Sequence, residues 1–150
     1  MNIHQEKEIH EFNHIYKELD DLYHEIALKI GISNSALAIL YTVCVLGDGC
    51  LQKDVCQEAY ISKQTVNSSV RKLERNGYLY LEQGTGRDKH IRLTEMGRRF
   101  VKEKIRPVIR MENEAFLDME PEERKKFISL SRKYVDWFRI REKKLLEVLT

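Results

Sequence analysis

The chain is predicted to be mainly α-helical with one small β-hairpin, an α+β fold, and three observations lead there. Long stretches at both ends repeat apolar residues at steps of three and four, the spacing of helices with one apolar face. Only 7 glycines and 2 prolines punctuate the 150 residues, so loops are few. Between residues 78 and 93 the pattern changes to two short runs holding Tyr, Leu and Ile. They are separated by Gly84-Thr85-Gly86-Arg87-Asp88, a turn that makes a hairpin of them. The length suits a single domain with a sizeable core.

Residues 5–30 place Ile9, Phe12, Ile15, Tyr16, Leu19, Leu22, Tyr23, Ile26 and Ile30 on one stripe, with Glu8, Glu11, Lys17, Glu18, Asp21 and Glu25 opposite. So complete a seam calls for another helix beside it, from the same chain or a partner. Gly31 ends this helix, and Ser33 can cap the next by accepting a free backbone N–H. Residues 36–46, ALAILYTVCVL, are almost wholly apolar and should be buried on most sides. Gly47-Asp48-Gly49 breaks that helix, residues 51–58 form a short one with Leu51, Val55 and Cys56 turned inward, and residues 59–61 make the turn.

Ser62 caps the following helix, whose inner stripe is Thr65, Val66, Val70 and Leu73 and which Asn76-Gly77 closes. Residues 78–82 and 89–93 are the strands of the hairpin, both turn glycines supplying positive φ. Thr94 caps a helix running towards residue 117, with Glu95 at its positive end, and Pro107 should kink or break it. Pro121 opens the last helix, where Phe127, Leu130, Tyr134, Trp137, Phe138 and Leu145 carry a three-four seam to the C-terminus. Two long amphipathic ends with little else to pack on predict a homodimer.

Charge is unevenly spread. Residues 1–30 hold three Lys or Arg against seven Asp or Glu, whereas residues 61–92 hold seven against three, on an overall charge of +2. A local basic patch on a near-neutral chain suggests a defined polyanion contact. Lys63, Gln64, Asn67, Ser68 and Arg71 lie on the outer face of the helix after Ser62. Long donors and amides reach base edges there, and small hydroxyls let backbone approach phosphate. Taken alone the face also reads as solvated helix surface. A hairpin with Arg87 at its tip decides for DNA, since a cation there suits the negative minor groove. Helix, turn, helix and basic hairpin together outline a winged helix-turn-helix.

The helix SKQTVNSSVRKLERNGYL, the hairpin GTGRDKHIRLTEMG and the long terminal helices resemble the MarR family of bacterial transcription regulators over nearly the whole chain. The resemblance implies one domain over residues 1–150, with residues 33–94 as the winged lobe and residues 1–30 and 95–150 as dimerisation helices. It implies a homodimeric repressor on a pseudo-palindromic operator of double-stranded DNA. Ser62, Lys63, Gln64, Thr65, Asn67, Ser68 and Arg71 fall on the family's recognition helix, Arg87 and Lys89 on its wing, and Asp88 on the wing aspartate that steadies an arginine. Here the family's Asp-x-Arg becomes Asp88-Lys89-His90 in a shortened wing, so the groove-reaching residue is Arg87, with Arg92 as second choice. The family also implies a small aromatic or phenolic effector, for which Tyr16, Tyr41 and Trp137 are candidates, alongside plain dimer-core roles for the same residues.

Other readings are weaker. His10 and His14 stand one turn apart, as a metal pair would, but bring no evident third ligand, and no metal or other cofactor is expected. Cys44, Cys50 and Cys56 form no disulfide framework; a redox- or metal-sensing member of the same fold is an alternative, as is a winged module that binds protein rather than DNA. No nucleophile triad, phosphate loop or paired carboxylate is present, so an enzyme is not expected. Apolar runs fall short of the ~20 residues of a membrane span and the N-terminus is too acidic for a signal peptide, which predicts the cytoplasm.

Overall fold

Helix α1 (Lys7–Ile30) leads the chain in the computed structural model, which describes residues 3–149. Met1, Asn2 and Thr150, inside the expected domain span, lie outside the described residues. Gly31 takes φ 88° at the end of α1, and the next amide, Ile32 N–H, bonds back to the Ala27 carbonyl at 3.0 Å. This left-handed stop turns the chain by 90° into α2 (Asn34–Leu46). The Ser33 hydroxyl accepts from Ala36 N–H at 3.1 Å, as expected of its cap.

α2 is the centre of the first of two compact units, residues 1–107. Its Ile39, Leu40 and Val43 are fully buried. Around them pack Val55 of α3 (Gln52–Glu58), Val66, Val70 and Leu73 of α4 (Lys63–Arg75), Leu79 of β1 (Leu79–Gln83) and Ile91 of β2 (Lys89–Leu93). Val45 and Leu46, expected inside, are exposed, because the last turn of α2 runs out past the core to reach the Gly47-Asp48-Gly49 loop. Leu51 and Cys56 are half-buried, leaving Val55 as the inward residue of α3.

The hairpin is antiparallel, with Leu79 opposite Leu93 and Gln83 opposite Lys89. A feature absent from the sequence reading extends it. Gly49 N–H bonds to the Ile91 carbonyl and Ile91 N–H to the Cys50 carbonyl, each at 2.8 Å, so the loop before α3 pairs with β2 like a short third strand. In the turn, Gly86 takes φ 62° but Gly84 does not adopt positive φ. Gly84 is instead closely packed: a Cβ there would stand 3.0 Å from the His90 ring and 3.2 Å from the Asp88 carbonyl, so its neighbours would have to give slightly.

Thr94 caps α5 (Glu95–Phe100) by accepting from Gly97 N–H at 3.0 Å. Gly97 has no space for a side chain, since an added Cβ would overlap the Tyr78 carbonyl. Val101–Ile105 form a π-helical segment that leads into α6 (Arg106–Leu117). Proline lacks an N–H and its ring crowds the carbonyl four residues back. The π segment accommodates this: Arg106 N–H bonds to Val101, five residues back, so the ladder has shifted before Pro107 arrives. Of the expected kink or break, the break is absent: helical structure runs on from Arg106 through Pro107 to Leu117.

The second unit, residues 108–150, holds most of α6 and α7 (Pro121–Leu149). Phe116 and Phe127 meet edge-on at 6.0 Å across the turn between them. Glu123 reaches back to Glu120 N–H at 2.9 Å, capping α7. No described residue of α7 is buried, and its whole seam, Phe127, Leu130, Tyr134, Trp137, Phe138 and Leu145, is exposed. The α1 seam is exposed in the same way at Phe12, Ile15, Tyr16, Leu19 and Leu22.

Candidate nucleic-acid interface

The site is built on the outer face of α4. Val66, Val70 and Leu73 anchor one side in the core, so helical geometry turns Lys63, Gln64, Ser68 and Arg71 outward. Ser62 accepts from Thr65 N–H at 3.2 Å and its hydroxyl lies 2.8 Å from that of Thr65. The cap occupies the Ser62 and Thr65 hydroxyls with each other, while the first-turn amides of Lys63 and Gln64 point out of the helix end. Ser68 donates to the Thr65 carbonyl at 3.1 Å. Asn67 is half-buried, and its side-chain oxygen accepts from Gln52 of α3 at 2.8 Å, which leaves the amide nitrogen as its free edge.

The wing loop is ordered by its own hydrogen bonds. Gln83 donates to the carbonyls of Gly86 and Asp88 at 2.8 and 3.3 Å, and Asp88 N–H closes the turn on Thr85 at 3.1 Å. This holds Arg87 at the tip, exposed and without an ion pair among the described residues. Arg92, the second choice for the groove, pairs with Glu82 at 3.4 Å on the strand face and lies against Gly49, where a Cβ would overlap its guanidinium. The tip position belongs to Arg87.

Asp88 does not steady an arginine. Its carboxylate pairs with Lys53 of α3 at 3.1 Å. Lys53, Lys63, Arg71, Arg87 and Lys89 therefore border one open cleft of about 280 Å³, with Asp88 and Asn67 in its wall. Five cations around one carboxylate make a surface suited to a phosphate backbone. Sequence reasoning missed Gln52 and Lys53. The departure from Asp-x-Arg was the available signal, since it left the wing aspartate in need of another cation.

The effector candidates lie on three different helices. Tyr16 is exposed on α1, Tyr41 is half-buried on α2, and Trp137 is exposed on α7, in the second unit. His10 and His14 meet edge-on at 4.7 Å, and among the described residues no group of three or more His, Cys, Asp or Glu is arranged to hold a metal. The three cysteines are unbonded and half-buried. Burial first, then the neighbouring Asp54 and Asp48, pushes the Cys50 thiol up to about 11, away from the thiolate that redox chemistry needs. No single helix among the described residues is long and apolar enough to cross a membrane.

Comparison with known proteins bears out the resemblance. Residues 30–89, from the end of α1 to the start of β2, match the model of the MarR family. The uncharacterized HTH-type transcriptional regulator YwoH of Bacillus subtilis is 24% identical over 128 residues, covering 85% of this chain and 93% of that protein. Among solved structures, the S. aureus MepR–DNA complex superposes with a TM-score of 0.70 at 21% identity, covering 89% of this chain and 99% of that one. Bordetella bronchiseptica BpsR, whose DNA binding is regulated by 6-hydroxynicotinic acid, gives 0.68 at 21% identity over 91% and 99%. At these identities the solved structures establish the fold, a mainly helical chain with a hairpin wing.

Proposed function

We propose that this chain, a MarR-type winged-helix protein by its match over residues 30–89 and by its fold, is a ligand-responsive DNA-binding transcription regulator. The observation that carries the reading is the cleft in which the outer face of α4 and the wing tip present Lys63, Arg71, Arg87 and Lys89 together. α4 enters the major groove by its N-terminal half, with Lys63 and Gln64 at base edges and the amide nitrogen of Asn67 beside them. Arg71 and Lys89 take phosphates, and Arg87 takes the minor groove.

The working unit in this reading is a cytoplasmic homodimer that represses from a pseudo-palindromic operator, without enzymatic activity. Residues 1–30 and 95–150 serve as the dimerisation helices of a single domain, and residues 33–94 as the DNA-binding lobe. The exposed apolar seams of α1 and α7 support this, since surfaces of that kind are covered in a working assembly. A small aromatic or phenolic effector, for which Tyr16, Tyr41 and Trp137 are the candidate contacts, acts by population shift. It favours a lobe spacing unlike the ~34–36 Å that separates successive major grooves.

One observation favours docking to a protein instead: Tyr60, just before the α4 cap, is 99% exposed. Binding to duplex DNA across a salt series separates the two. A DNA reader loses affinity steeply, by about 0.9 log units per log unit of salt for each phosphate contact. A flat response, or no binding to the DNA beside its own gene, removes the proposal. The redox alternative has the raised Cys50 thiol against it.

A further inference from the structure

We infer that α3 is a brace for the two DNA-reading elements, and that Lys53 and Asp88 form the half of it that positions the wing. The inference deepens the DNA-binding proposal and rests on it for its consequence, though not for its geometry. Two consecutive residues of α3 reach different elements: Gln52 donates to Asn67 of α4 at 2.8 Å, and Lys53 pairs with Asp88 of the wing at 3.1 Å. Both partners are remote in sequence, 15 and 35 residues on, so neither contact follows from local turn geometry.

A purely electrostatic reading of Asp88 is unsatisfactory. A carboxylate in the wall of a cleft bordered by five cations opposes a polyanion, and on charge alone the wing would bind DNA better without it. Its place there is explained if it holds something. Asp88 is the last loop residue before β2, adjacent to Arg87, and its side chain is about one-third exposed while that of Lys53 is 62% exposed. Anchoring Asp88 to α3 fixes the direction in which Arg87 leaves the hairpin relative to Lys63 and Arg71. An exposed ion pair contributes little to folding, so its effect is on wing geometry rather than on whether the domain folds. Lys53 thus occupies the role for which Asp-x-Arg would supply a cation from the wing itself.

The test uses the full-length protein and four forms: wild type, Lys53→Asp, Asp88→Lys and the swap of both, which restores the wild-type net charge. Two readouts are taken. Amide exchange of residues 84–88 in free protein reads the brace, and affinity for a duplex selected by the wild type from a random-sequence pool reads its consequence. Asp88→Ala is added because the two explanations give it opposite signs: the brace predicts affinity weakened about threefold or more, the size of one lost exposed ion pair, whereas simple charge removal predicts tighter binding.

The expected result is faster exchange of residues 84–88 in each single variant and recovery in the swap, with the swap binding DNA better than the product of the single effects. Unchanged exchange, independent effects on affinity, or tighter binding by Asp88→Ala each overturn the brace. If exchange responds as expected but the wild type selects no duplex, the DNA-binding proposal fails while the brace stands.

Discussion

Replacing Arg87 by alanine isolates the wing tip. The side chain is exposed at a turn held by the Gln83 bonds to the Gly86 and Asp88 carbonyls, which do not involve it. Folding stability should therefore change by no more than about 0.5 kcal/mol, the usual range for surface substitutions. Binding should change much more. One phosphate-type contact lowers the salt slope by about 0.9, which at roughly 0.15 M salt is ~0.7 log units, or ~1 kcal/mol. In the proposed dimer two wings double this to about 2 kcal/mol, some thirtyfold in affinity, with a slope shallower by about 1.8. Fluorescence anisotropy with an operator duplex across a salt series measures both quantities, and thermal unfolding checks the fold. Unchanged affinity and slope would refute the wing assignment, and a large loss of stability would mean that Arg87 has an unrecognised structural role.

Three further outcomes follow from particular contacts. Gly97→Ala should destabilise the winged lobe by about 1–3 kcal/mol, because the new methyl meets the Tyr78 backbone rather than a movable side chain, and a normal melting temperature would contradict that packing. Trp137→Ala should weaken the proposed dimer in sedimentation equilibrium by removing a large exposed ring from the α7 seam; a variant that stays fully dimeric and normally stable argues against that seam as the interface. With Cys44 and Cys56 replaced by serine, the Cys50 thiol, raised to about 11, should react with a disulfide reagent slowly at neutral pH. Its rate should keep rising with pH beyond the ordinary thiol range, since the deprotonated form accumulates only as pH approaches the raised value. A plateau below pH 9.0, the ordinary thiol value, would contradict the burial argument.

How much of this was legible beforehand depended on the range of the interaction. The Ser33, Ser62 and Thr94 caps were read from sequence, and each hydroxyl accepts from an amide three residues on. The apolar stripe of α4 was read as Thr65, Val66, Val70 and Leu73; the last three are buried and Thr65 is half-buried. Pro107 was recognised as a problem, but the answer lay upstream in the π segment at 101–105, which no residue preference marks. Gly84 and Gly86 looked equivalent as turn glycines. Only Gly86 takes positive φ, whereas Gly84 packs closely against the His90 ring, six residues away in sequence.

The amino-acid sequence by itself determined the helices, their caps, the hairpin and the outward face of α4, because periodicity and capping act within a few residues of chain. Tertiary structure alone decided the pairing of residues 49–51 with β2 and the joining of α3 to both α4 and the wing. These are side-chain and strand-edge contacts between segments 15 to 42 residues apart. Such contacts are selected by the three-dimensional packing that brings the segments together, and a lysine on a short helix carries no local mark of the carboxylate it will meet.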